Sequence, residues 1–137
     1  RTQARIHTTS SVQTPVILAD TSVWVDHLRV GNAQLSELLE RGQVLMHPFV
    51  LGELACGNLN NRAQILGLLR NLPEAAVATD EETLFFIERH ALMGRGIGYV
   101  DAHLLAAVSL DAGSRFWTRD KRLLAVASAM KLSYGNE

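Results

Sequence analysis

Short apolar runs alternate along the chain with longer segments whose apolar positions recur every three or four residues. Val16-Ile17-Leu18-Ala19, closed by Asp20, reads as a buried parallel strand. Thr21 or Ser22 is placed to cap a helix from about Val23 to Arg29, which Gly31-Asn32 breaks. Leu35, Leu38 and Leu39 mark one face of a second helix that stops at Gly42. Val44 to Met46 reads as a second strand. Pro48 suits the first turn of a helix running through Cys56, with Gly57 at its end. Ile65, Leu66, Leu68 and Leu69 carry another amphipathic helix. Ala75 to Ala78 reads as a short third strand. Thr79 and Glu82 form a capping-box pair that starts a helix reaching about Met93. After the loop Gly94-Arg95-Gly96-Ile97-Gly98 comes a largely apolar helix, Val100 to Leu110. Arg115 to Thr118 then reads as a strand, Lys121 to Ala129 as a helix, and Leu132 as part of an edge strand.

Strands alternate with helices throughout, which predicts an α/β sandwich with a mostly parallel central sheet flanked by helices. No internal repeat and no linker interrupts residues 16–137, which are expected to form a single domain. Residues 1–15 are polar, lack periodicity and end in Pro15. They read as a disordered arm, a cloning remnant or an alternative start.

Composition narrows the classes. The chain has 137 residues, 47% apolar and 20% charged, enough to bury a core without disulfides or structural metal. The one cysteine, Cys56, excludes an intrachain disulfide and fits a reducing cytoplasm; such a residue is expected to be buried. No apolar run is long enough for a membrane span, and no secretory signal pattern is visible. The formal net charge of -1 gives no general attraction to nucleic acid.

Four carboxylates stand where such a fold would gather them. Asp20 ends the first strand, and Asp120 follows the strand containing Phe116 and Trp117. Ligands of open α/β sheets bind beyond the carboxyl ends of the strands. Asp101 opens an apolar helix, and Glu53 interrupts the apolar stretch Phe49 to Leu54. Packed carboxylates repel and raise one another's pKa unless a cation neutralises them. Oxygen-only donors suit Mg²⁺ or Mn²⁺, and no Cys/His spacing suggests zinc. Each acid also has a plainer reading. Asp20, Asp101 and Asp120 could each turn or cap the chain, and Glu53 could be a solvated helix position.

The segments ILADTSVWVDHLR, HPFVLGELACG, GRGIGYVDAHLLAAV and FWTRDKRLLAVA follow one another from about Val16 to Leu132. In this order they resemble the successive motifs of VapC-type PIN domains, ribonuclease toxins of toxin–antitoxin systems. The resemblance implies a PIN-like three-layer sandwich, Mg²⁺ or Mn²⁺, and endonucleolytic cleavage of RNA. By matching position it implies Asp20, Glu53 and Asp101 as principal acidic metal-site residues. Asp120 matches a fourth acid that acts at a second metal or through water. Ser22 and Thr118 match hydroxyl positions that support the acids by hydrogen bonding. Also implied are a homodimer, a VapB-like antitoxin whose C-terminal segment occupies the groove, and a heterotetramer or larger assembly with it. The substrate class implied is structured RNA, tRNA or rRNA, with loss of translation as the outcome.

On that reading Arg119, Lys121 and Arg122 could hold phosphates beside the metal, or could be a solvated helix start. Arg29 and Arg95 are further candidates. Trp24 and Trp117 could stack bases but are expected to pack. Gly94, Gly96 and Gly98 follow a helix, unlike a dinucleotide fingerprint, and read as a flexible connection that lets Asp101 approach. His27, His47, His90 and His103 have no ligand spacing and are expected to be structural or superficial; Asp26 is expected on an exposed face. Two other functions compete: a non-catalytic PIN-like RNA- or protein-binding module, and an aspartyl-phosphate phosphatase using Asp20. The module is disfavoured by a negative pocket. The phosphatase is disfavoured by Ser22, where such enzymes place a second acid.

Overall fold

A computed structural model describes residues 15–135. The expected arm, save Pro15, therefore lies outside the described residues. Three parallel strands form the sheet, in the order β2-β1-β3: β1 is Val16–Ala19, β2 is Val44–Leu45 and β3 is Ser114–Trp117. β1 is central. It is buried over Ile17, Leu18 and Ala19, as a strand covered on both faces must be. Around the sheet lie α1 (Thr21–Val30), α2 (Ala33–Glu40), α3 (Pro48–Ala55), α4 (Arg62–Arg70), α5 (Asp80–Arg89), α6 (Tyr99–Ser109) and α7 (Lys121–Ala129). The α/β reading with a parallel sheet flanked by helices is the observed architecture.

Element ends show where local chemistry decides. α1 is capped by Asp20 rather than by Thr21 or Ser22, because the Asp20 carboxylate accepts from the Val23 N–H. α7 spans the expected residues and is capped by Asp120, which accepts from the Leu123 N–H. The Thr79–Glu82 capping box is present at α5. That helix stops at Arg89, short of Met93, because Ala91 turns left-handed (φ 51°) and the Leu92 N–H returns to the Ile87 carbonyl.

Two expected strands are not regular strands. Residues Ala75 to Ala78 make no ladder; only Glu74 bridges to Met46. Their buried members, Ala75 and Ala78, are three positions apart, which no pleated strand can present to one face. Leu132 lies beside β3, but the pairing is a single bridge between Phe116 and Ser133. Cys56 is exposed rather than buried. It follows the last buried residue of α3, Leu54, at the point where the helix ends. Trp24 is buried as expected, and half-buried Trp117 packs against Tyr134 with ring centres 5.4 Å apart.

Candidate active site

Asp20 stands at the carboxyl end of the central strand, held there by its N–H donating to the Trp117 carbonyl. It is 6% exposed, and both of its oxygens are engaged. Ser22 donates its hydroxyl to Oδ1 at 2.5 Å, and Thr118 donates to Oδ2 at 2.5 Å. Each hydroxyl in turn accepts a main-chain N–H from the turn between β3 and α7: Arg119 N–H to Ser22 and Asp120 N–H to Thr118, both at 3.0 Å. Two relays therefore run from one turn, through a hydroxyl, to one carboxylate. Chains of this kind polarise one another and hold the acceptor in a single rotamer.

Three further acids converge from other elements. Glu53 projects from the solvent side of α3, and its Oε1 accepts from the Thr21 hydroxyl at 2.5 Å. Asp101 lies in the first turn of α6, where its Oδ2 accepts from the Gly98 N–H at 3.1 Å. Asp120 caps α7 through Oδ1. Burial raises the Asp20 carboxyl above the usual carboxylate range despite its hydroxyl partners, and the nearby charge of Asp101 adds to the rise. Burial likewise raises Asp101, and the charges of Asp120 and Glu53 add to it. Asp101 thus senses each of the other three.

The donor set is all oxygen, which matches hard divalent cations such as Mg²⁺ or Mn²⁺. Among the described residues, Oδ1 of Asp101, Oε2 of Glu53 and Oδ2 of Asp120 have no hydrogen-bond partner. No three His, Cys, Asp or Glu side chains among the described residues close to the spacing of a ready-made ion cage. The acids are gathered but not drawn together, as mutually repelling carboxylates should be.

The basic candidates divide. Arg119 is held at the rim by a 3.5 Å ion pair to Asp26, which is half-buried rather than on an exposed face. The Arg122 side chain lies over Gly96: a Cβ built there would stand 2.7 Å from the Arg122 Cδ. Gly96 also has φ 81°, so both the turn and the close approach require glycine. The glycine loop is thus a seat for a rim arginine as well as a connection to Asp101. Arg29, Arg95 and Lys121 are exposed, and no side-chain hydrogen bond ties them to the acids among the described residues.

Sequence reading missed Thr21 as a partner of Glu53. The signal was a hydroxyl beside Asp20, which was assigned to helix capping instead. His47 and His103 are both buried, the structural of the two expected placements. His47 caps α3 through Nδ1, and its pKa is pushed down to about 4 by burial, with His103 nearby adding to the effect.

Comparison with known proteins follows the same residues. The PIN domain family matches residues 17–129, a span that contains all four acids. The chain is 46% identical over 122 residues to a protein named Ribonuclease VapC32 from Mycobacterium tuberculosis strain CDC 1551 / Oshkosh, and equally to its namesake in strain ATCC 25618 / H37Rv. Each alignment covers 89% of this chain and 98% of the relative. The chain therefore belongs to the PIN-domain family, as a VapC-type member.

Proposed function

We propose that the protein is a Mg²⁺- or Mn²⁺-dependent endoribonuclease, the toxin of a VapBC-type toxin–antitoxin pair, that cleaves structured RNA (tRNA or rRNA) and so inhibits translation. The observation that carries this reading is the Asp20 carboxylate, fixed through both oxygens beside Asp101, which in turn lies within reach of the charges of Glu53 and Asp120. Burying such charges without a counter-ion costs stability, so their retention suits a bound divalent cation. The relative's name, Ribonuclease VapC32, agrees with the chemistry.

Asp20, Glu53 and Asp101 would hold the ion, with Asp120 as a fourth carboxylate near Asp101. When bound, the ion supplies an acidified water and neutralises charge on a phosphodiester. Ser22 and Thr118 keep Asp20 in one orientation, and Thr21 steadies Glu53. Arg119 and Arg122 would meet phosphates of the bound RNA. Single-stranded loops of a folded RNA are the substrate that fits, since their bases and backbone can be splayed into a surface groove. A VapB-like antitoxin would close the same groove, an inserted arginine being attracted by the acids that hold the cation. Assembly as a homodimer, and as a heterotetramer or larger with the antitoxin, belongs to the same proposal, as does a cytoplasmic location. Among the described residues, no helix is long and apolar enough to cross a membrane.

The test is cleavage of purified tRNA and rRNA by the wild type and by Asp20→Asn and Asp101→Asn. Cleavage that needs Mg²⁺ or Mn²⁺ and is abolished in both folded variants is expected. Undiminished cleavage by both would remove the mechanism.

A further inference from the structure

We propose that His103, with Asp80 and Tyr99, is a positioning hub that sets where Asp101 and Glu53 stand; the proposal rests on the ribonuclease reading above. His103 is 2% exposed, in the first turns of α6. Its Nε2 lies 3.0 Å from Asp80 Oδ1, and its Nδ1 lies 3.2 Å from Thr83 Oγ1, both on α5. An ionised carboxylate only accepts, so Nε2 carries the proton toward Asp80. The Tyr99 hydroxyl donates to the same Asp80 oxygen at 2.6 Å. The Tyr99 and Phe49 rings each meet the imidazole edge-on, with centres 4.8 Å away. One side chain thereby touches the amino-terminal turns of three helices.

The consequence follows from helix geometry. Asp101 is two residues from both Tyr99 and His103, so it projects from the opposite side of the same turn. Holding Tyr99 and His103 against α5 therefore fixes the direction in which Asp101 is presented. The Gly98 N–H is the one hydrogen-bond partner of the Asp101 side chain among the described residues, so the turn itself must supply the rest of its placement. On α3, Phe49 and Glu53 are four residues apart and share a face. Docking Phe49 on His103 thus sets the rotation of the helix that carries Glu53. The α5 end of the hub is stiff, because the Thr79–Glu82 capping box closes it and the Thr83 hydroxyl also reaches the Thr79 carbonyl. Asp80 is itself a highly exposed side chain, with little to contribute to the core. Its two partners both lie on the helix that bears Asp101.

Tyr99→Phe and Asp80→Ala, singly and combined, remove the ties at exposed positions and leave the core filled. The expected result is a fall in kcat of about tenfold, since misplacement by a fraction of an ångström is enough. The KM for RNA and the thermal midpoint should stay at wild-type values. Mn²⁺ binding measured by calorimetry without RNA should weaken by about tenfold, the scale of lost support around metal ligands. His103→Gln, which keeps a donor for Asp80, should retain more activity than His103→Ala. Leu69→Ala, in the core on α4, gives a destabilised control in which Mn²⁺ affinity is unchanged. A double Tyr99→Phe, Asp80→Ala variant with wild-type Mn²⁺ affinity overturns the hub. If the wild type itself cuts no RNA, the ribonuclease reading falls, while Mn²⁺ affinity still decides whether the hub acts.

Discussion

The Thr118 hydroxyl is buried, accepts from one main-chain N–H and donates to Asp20. Thr118→Val keeps the shape and leaves two polar groups without that partner. A loss of about 1–3 kcal/mol is expected for a buried group stranded in this way, measured by denaturant unfolding. Metal-dependent cleavage should fall with it, because Asp20 loses the tie that fixes its second oxygen. Ser22→Ala should be milder in stability, since Ser22 is only partly buried. These two hydroxyls were legible in the sequence through their motif words, because they sit within two residues of an acid. The Thr21–Glu53 bond was not, because it joins positions 32 apart and depends on how α3 packs against α1. A second residue-scale expectation concerns His47. Its folded pKa is held near 4, so the folded state favours the neutral ring. Its contribution is present above about pH 6.5 and is lost as pH falls through that value toward 4. Unfolding free energies measured across that window should show the gap between wild type and His47→Asn narrowing as the pH drops.

Three helices end in the same way. After α2, α5 and α7 a left-handed residue lets two N–H groups turn back to the last carbonyls, and these residues are Gly42, Ala91 and Lys131. Only the first announces itself as glycine, so the left-handed turn that ends α5 at Ala91 left no glycine signal in the sequence. Left-handed geometry costs a residue with a Cβ roughly 1–2 kcal/mol, offset in part by the greater freedom of glycine in the unfolded chain. Ala91→Gly and Lys131→Gly should therefore each raise stability by up to about 1 kcal/mol, read as a rise in thermal midpoint. The opposite is expected at Gly96. Gly96→Ala places a methyl group against Arg122 in a left-handed turn. It should lower stability and displace the rim arginine, raising the KM for RNA more than it lowers kcat.

At the scale of the molecule, burial of the Asp20 and Asp101 carboxylates opposes folding until a cation joins them. Asp20 and Asp101 have raised pKa values, so the folded state holds protons more tightly there than the unfolded chain does. Their favourable contribution is complete below the ordinary carboxylate range and is lost as pH rises through the raised values. Divalent ions bind the folded state and should restore it. Mn²⁺ should raise the thermal midpoint of the wild type near neutral pH in a concentration-dependent way, and Asp101→Asn should blunt the response. A midpoint indifferent to Mn²⁺ would count against ion binding by the folded chain. Alternating strand and helix signals made the architecture readable, and with it the place of Asp20 at the end of the central strand. The single bridges at Glu74 and Ser133 were beyond reach, because pairing of one residue leaves no period in a sequence.

The order of the strands has a temporal consequence. The middle strand is translated first, and its second neighbour, Ser114–Trp117, comes nearly last. The Thr118 hydroxyl that steadies Asp20 arrives 98 residues after it. While the carboxyl-terminal stretch is still inside the ribosome, the first acid has neither its sheet partner nor its hydroxyl. A chain cut short before Ser114 is therefore expected to lack metal-dependent cleavage, which an RNA-cleavage assay of the truncated product checks.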